Sequence, residues 1–160
     1  MTSDKETFWN TLSDMTVCMV TTQDDGVLRS RPMAPYVDTK KKTIHFITGS
    51  DSAKIFEIAE DQDIALNFAN DSKMIYVSVS AKGKVSRDKA LIKELWGPYC
   101  KVFFGDDPDT ADVAVIEARP VQAEIWDNSG SKLAIAAEMT RAFFSDDGPD
   151  LGDNTKIDFS

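Results

Sequence analysis

The chain has 160 residues and a mass of 17.7 kDa, and its 42% hydrophobic content with nine phenylalanines suffices for one domain, residues 1–160, with a substantial core. A formal net charge of −9 and a pI near 4.5 set it against nucleic acid and anionic membrane surfaces as partners. No apolar run approaches the roughly 18 residues of a membrane span, the polar start Met1-Thr2-Ser3-Asp4-Lys5-Glu6 lacks a signal peptide's apolar region, and two dispersed cysteines beside a single histidine read as free thiols of a cytoplasmic protein, with neither a disulfide framework nor a zinc site.

Ser3 and Glu6 have the spacing of a capping box, and Phe8, Trp9 and Leu12 follow at helical intervals, which predicts a helix over about residues 4–13. Residues 15–22 are rich in β-branched side chains and read as a strand. Gln23-Asp24-Asp25-Gly26 is a turn signal, and a second strand over about residues 27–37 completes a hairpin. Pro32 and Pro35 cannot donate ladder bonds, so that strand lies at an edge, a bulge or a bend. Asp38-Thr39-Lys40-Lys41-Lys42 is a solvated turn. A third strand, Thr43-Ile44-His45-Phe46-Ile47, then leads through Gly49 into a short helix carrying Ile55, Phe56 and Ile58.

Strands are predicted over residues 64–70 and 74–81, the latter continuing past Gly83 to Val85. A helix follows from Ser86-Arg87-Asp88 through Leu91, Ile92 and Leu95 to Gly97-Pro98. Gly105-Asp106-Asp107-Pro108-Asp109 lacks EF-hand ligand spacing and reads as a turn. Residues 111–118 and 121–126 are predicted as a second hairpin around Arg119-Pro120. A small-residue helix near residues 132–143 and a short alternating segment end the chain. Some seven strands without strict β-α-β alternation predict an antiparallel barrel with peripheral helices, a mainly β (α+β) fold, rather than a Rossmann sheet.

The corner at residues 48–54 carries the chemistry. Thr48, Ser50 and Ser52 supply hydroxyls where a strand meets a helix N-terminus, Gly49 ends the strand, and Lys54 adds an ammonium in the first helical turn. Unpaired N–H groups and the positive end of the helix dipole suit such a corner to a phosphate. Arg29 and Arg31 put two guanidiniums on one face of the second strand. The plainer alternative makes Ser52 an N-cap and Lys54 a solvated cation. The corner is not a P-loop, because both glycine-rich phosphate motifs are absent. His45 reads as a strand-face histidine without a nucleophile beside it, and Cys18 as a buried, inert thiol.

Several stretches in order resemble the FMN-binding split barrels of the pyridoxamine-phosphate-oxidase-like family, specifically its general stress protein branch. They are Arg29-Ser30-Arg31-Pro32-Met33, Phe46-Ile47-Thr48-Gly49-Ser50-Asp51-Ser52-Ala53-Lys54, Tyr76-Val77-Ser78-Val79 and Leu95-Trp96-Gly97-Pro98. Phe103-Phe104-Gly105-Asp106-Asp107-Pro108-Asp109, Ala123-Glu124-Ile125-Trp126-Asp127 and Asp150-Leu151-Gly152-Asp153-Asn154 complete the set. The resemblance implies a homodimer with FMN at the subunit interface. It places Arg29, Arg31, Pro32 and Met33 along the isoalloxazine, with one of the two arginines reaching the phosphate. Thr48, Gly49, Ser50, Ser52 and Lys54 take the phosphate, and Tyr76 and Ser78 pass the flavin on the next strand. Trp96 and Trp126 are candidates for contacts from the opposite subunit, or else core aromatics.

One departure bears on activity. Pyridoxamine phosphate oxidases carry C-terminal arginine and histidine residues that handle substrate and flavin. Residues 144–160 contain neither, and hold five aspartates, so that activity is not expected. The readings that stand are a flavin-dependent oxidoreductase acting on an unidentified small molecule, a non-catalytic FMN carrier or sensor, and a related barrel using deazaflavin or haem. No catalytic side chain and no resident metal are assigned.

Overall fold

A computed structural model describes residues 2–130 and 132–160. The elements in chain order are α1 (Asp4–Ser13), β1 (Cys18–Asp24), β2 (Val27–Met33), β3 (Tyr36–Asp38), β4 (Thr43–Gly49), α2 (Ala53–Glu60) and β5 (Asp63–Asn70). They continue as β6 (Ile75–Ser86), α3 (Lys89–Leu95), α4 (Pro98–Phe104), β7 (Val113–Asp127), α5 (Lys132–Phe143) and β8 (Asp153–Asp158). All strand pairings are antiparallel, in the order β2-β1-β5-β6-β7-β4-β3, with β8 on β7. The path's two end strands, β2 and β3, are joined only by Ala34-Pro35. Three Cα steps span at most about 11 Å, so the sheet must curl until its edges approach. The result is a split barrel.

The capping box forms as expected: the Ser3 hydroxyl accepts from Glu6 N–H, and the Ser3 N–H donates to Glu6 Oε2 at 3.0 Å. It starts α1, which lays Phe8, Trp9 and Leu12 into the main core with Val20, Phe46, Leu66 and Val79. Strand β4 is buried on both faces, Thr43 through Thr48. One face meets that core; the other, through Ile47, joins Ile92, Cys100, Val113 and Val115 beneath α3 and α4. This second cluster roofs one flank of the barrel and brings α4 over the end of β2.

The second hairpin does not form. Residues 113–127 are one strand, and β6 pairs it from Val115 to Asp127 with a register shift at Ser80/Ala81 that leaves Val121 unopposed. On the other side β4 pairs residues 113–118 and β8 pairs residues 122–127. Arg119-Pro120 falls in the gap between these two neighbours. A proline is tolerated there because no partner on that side needs its missing N–H. The second strand, in turn, breaks at Ala34-Pro35 into β2 and β3, and Pro98 opens α4, a helix absent from the sequence reading.

Candidate functional site

β2 crosses β1 with Arg29 opposite Thr22, Arg31 opposite Val20 and Met33 opposite Cys18. Because Val20, Thr22 and Cys18 point inward, Arg29, Arg31 and Met33 share the face turned toward α2. The end of β4 brings Thr48 to the same place, and the turn into α2 adds Lys54. Arg31, Pro32, Met33, Thr48 and Lys54 line a cavity of about 150 Å³, and Tyr36, Tyr99, Phe103 and Phe104 form its aromatic wall. Five of the sequence-predicted residues therefore converge in one chain.

The α2 N-terminus is open. Ser52 occupies the N-cap position, yet its side chain makes no capping bond and instead accepts from Thr48 Oγ1 at 3.3 Å. Ser52 is thus the N-cap by position without a side-chain cap; the Ile55 N–H donates to the Ser52 carbonyl at 3.0 Å, and the amides of Ala53 and Lys54 are the ones that a ligand at this end would meet. Lys54 is half-buried with no hydrogen bond or ion pair among the described residues. Burial first, and then the Arg31 charge, push its ammonium below the ordinary lysine range, against the opposing pull of Glu57. A cation so placed favours an anion beside it.

The two arginines part company. Arg31 lines the cavity, whereas Arg29 lies outside its lining, with Nη1 donating to Asp24 Oδ2 at 3.2 Å and Glu57 Oε1 at 3.0 Å. Ser50 is also committed elsewhere. Its hydroxyl donates to Asp112 Oδ1, and its N–H donates to the Asp112 carbonyl at 3.2 Å. Gly49 ends β4 with ordinary backbone and serves the turn. Neither Ser50 nor Gly49 is a lining residue.

Tyr76, Ser78 and Trp126 lie on the sheet's outward face. A register row runs Pro32, Met19, Asn67, Ser78, Glu124 and Lys156. Ser78 is three strands from Pro32, roughly 14 Å along the sheet, and Tyr76 pairs with Trp126 one row further on. Trp96 sits behind the aromatic wall with its ring 6.4 Å from Phe104, and its buried indole N–H has no partner among the described residues. These four aromatic and hydroxyl residues do not meet the cavity within one chain.

Sequence reasoning missed Glu57. It lies on the covered side of α2 and is 5% exposed in its side chain, among apolar neighbours that hid it in a hydrophobic pattern. Its spacing of three from Lys54 was the available signal. It missed Tyr99 as well, because the helix that presents it starts at a proline after a glycine. Cys18 is buried as expected, and burial pushes its thiol up to about 12 against a backbone bond from Asn67 that lowers it. His45 is buried with Nε2 3.6 Å from Glu117 Oε1.

Among protein families, the model for pyridoxamine 5'-phosphate oxidase like proteins matches residues 3–150. Protein bli-3 of Neurospora crassa is 29% identical over 116 residues, 66% of this chain, and the match spans 56% of that protein's length. A solved structure described as a general stress protein 26 from Jannaschia sp. CCS1 superposes with a TM-score of 0.77 at 24% identity, covering 95% of this chain and 96% of the other. The general stress FMN/FAD binding protein of Xanthomonas citri superposes with a TM-score of 0.68 at 25% identity, over 79% of this chain and 90% of that one.

Proposed function

The chain belongs to the pyridoxamine 5'-phosphate oxidase-like family, and from that premise we propose that it is of the general stress protein type, binds FMN and serves as a flavin-dependent oxidoreductase toward a small molecule, a reading supported by its likeness to general stress proteins. The observation that carries the reading is that Arg31 and Lys54, the latter without an ion pair among the described residues, share one cavity with Thr48 at a start of α2 that lacks a side-chain cap. Guanidinium, ammonium, hydroxyl and helix amides are the donor set that a terminal phosphate dianion takes. FMN, once held, supplies one- and two-electron chemistry. The protein's part is to anchor the phosphate at Lys54, Arg31 and Thr48, to lay β2 from Pro32 to Met33 along the ring system, and to shield it with the α4 aromatics. The Xanthomonas citri protein, described as binding FMN or FAD, supports the cofactor.

The site of one chain is too small for the whole cofactor. Its 150 Å³ compares with the roughly 300–1,000 Å³ of a pocket that encloses a small molecule. A second copy packed on the outward sheet face would bring Tyr76, Ser78 and Trp126 to the flavin and cover the exposed Met19 and Leu28. The helix α5, none of whose described residues is buried, also leaves Leu133 and Phe143 above 80% exposed. A homodimer with FMN between subunits answers both facts. No helix among the described residues is long and apolar enough to cross a membrane.

The test is the absorption spectrum and mass of the small molecule released when the purified protein is denatured. A flavin spectrum with the mass of FMN is expected. A deazaflavin or a haem, or failure of the apo-protein to bind added FMN, overturns the reading.

A further inference from the structure

We infer that Glu57 is a positioning residue for the phosphate corner: from α2 it fixes the Arg31 guanidinium so that its free N–H groups face the cavity, and it holds Arg29 away from the ligand. The inference rests on the FMN reading above and adds a role for a carboxylate inside a site built for an anion.

The geometry is a closed set of bonds. Thr22 Oγ1 donates to Glu57 Oε2 and accepts from Arg31 Nη1, while Arg31 Nη2 donates to the same Oε2 at 2.9 Å. Arg31 Nη1 also donates to the Arg29 carbonyl at 3.1 Å. A guanidinium has five N–H donors. Three are engaged, so Nε–H and one hydrogen of Nη2 remain for a ligand in the cavity that Arg31 lines. Oε1 of Glu57 takes Arg29 at 3.0 Å, and Asp24 holds that guanidinium from the other side. Among the described residues, Arg29 and Arg31 are ion-paired with Glu57 and Asp24, whereas Lys54 makes no ion pair.

A buried carboxylate could instead be a mere competitor, occupying guanidinium donors that a phosphate would otherwise take. The bonding pattern argues against that. Glu57 sits among Thr22 and the barrel's inner face, its side chain 5% exposed, and is not among the residues lining the cavity. Burial acts to raise its carboxyl, but the Thr22 hydroxyl and the two guanidiniums outweigh burial and hold it below the ordinary carboxylate range. An ionised Glu57 behind Arg31 therefore orients the guanidinium by a charge-assisted bond that a ligand need not break.

The experiment is fluorescence titration of the apo-protein with FMN and with riboflavin, comparing wild type with Glu57→Ala, Glu57→Gln and Thr22→Val. Wild type should prefer FMN; absence of that preference defeats the FMN reading itself. Given the preference, Glu57→Ala should lose about tenfold or more in FMN affinity, with riboflavin little changed. Glu57→Gln keeps an amide oxygen for Thr22 and Arg31 and should stay within about threefold of wild type or bind more tightly. Thr22→Val preserves shape, removes the bridging hydroxyl, and should lower the FMN-to-riboflavin ratio; it carries the test if Glu57→Ala does not fold. An unchanged ratio in both Glu57→Ala and Thr22→Val, equal losses for both flavins, or tighter FMN binding by Glu57→Ala overturns the inference while leaving the FMN reading intact.

Discussion

Replacing Lys54 by alanine removes a cation of the corner that has no hydrogen bond or ion pair among the described residues. Its ammonium is half-buried and shares the cavity with Arg31 and Thr48. A charge-assisted hydrogen bond to a phosphate contributes roughly 1.5–3 kcal/mol, so Lys54→Ala should weaken FMN about ten- to a hundredfold. Riboflavin has the ring but not the phosphate, and its affinity should hardly move. The FMN loss should shrink as salt rises, because screening weakens the attraction in wild type. The apo-protein should melt no lower than wild type, since the lysine is desolvated beside another cation and its charge is disfavoured by the fold. Lys42→Ala is the control: its ammonium lies over the Trp9 ring at 5.5 Å, on the α1 side, and neither flavin should be affected. Fluorescence titration of the apo-proteins reads all of this. Equal loss of FMN and riboflavin at Lys54, or no loss at all, refutes the phosphate corner.

Light scattering should give twice the subunit mass, and one subunit mass persisting across micromolar concentrations would remove the second copy from the flavin site. No turnover of pyridoxamine phosphate is expected, because residues 144–160 offer five aspartates and neither arginine nor histidine to a second phosphate; peroxide formed with that substrate at about 1 per second or faster would contradict this. Glu57 is held below its ordinary value of 4.5, so its contribution to stability is complete above that pH and is lost as pH falls through the folded value. The melting temperature of wild type should accordingly fall more steeply below pH 4.5 than that of Glu57→Gln, and parallel curves would show that the carboxylate contributes nothing.

Local signals were legible in the chain because they act over a few residues. Ser3 and Glu6 set the start of α1 through bonds between neighbours, Gly26 with a positive φ of 79° closes the β1–β2 turn, and period-two and period-3.6 patterns marked most strands and helices. The donor chemistry of Arg31, Thr48 and Lys54 was legible too, since residue type alone states which groups can meet a phosphate. Tertiary structure decided the rest. Arg119-Pro120 looks like a turn until β4 and β8 are seen to end on either side of it, which depends on pairings more than sixty residues apart in the case of β4. Arg29 and Arg31 are equivalent in an isolated strand; α2 brings Glu57 to both, and what separates them is that Asp24 at the end of β1 also takes Arg29 while Arg31 lines the cavity. Ser50 has the same hydroxyl as Ser52, yet Asp112, 62 residues away, claims it. A side chain's chemistry is local, but whether its donors are already spent is fixed by what distant parts of the chain bring beside it.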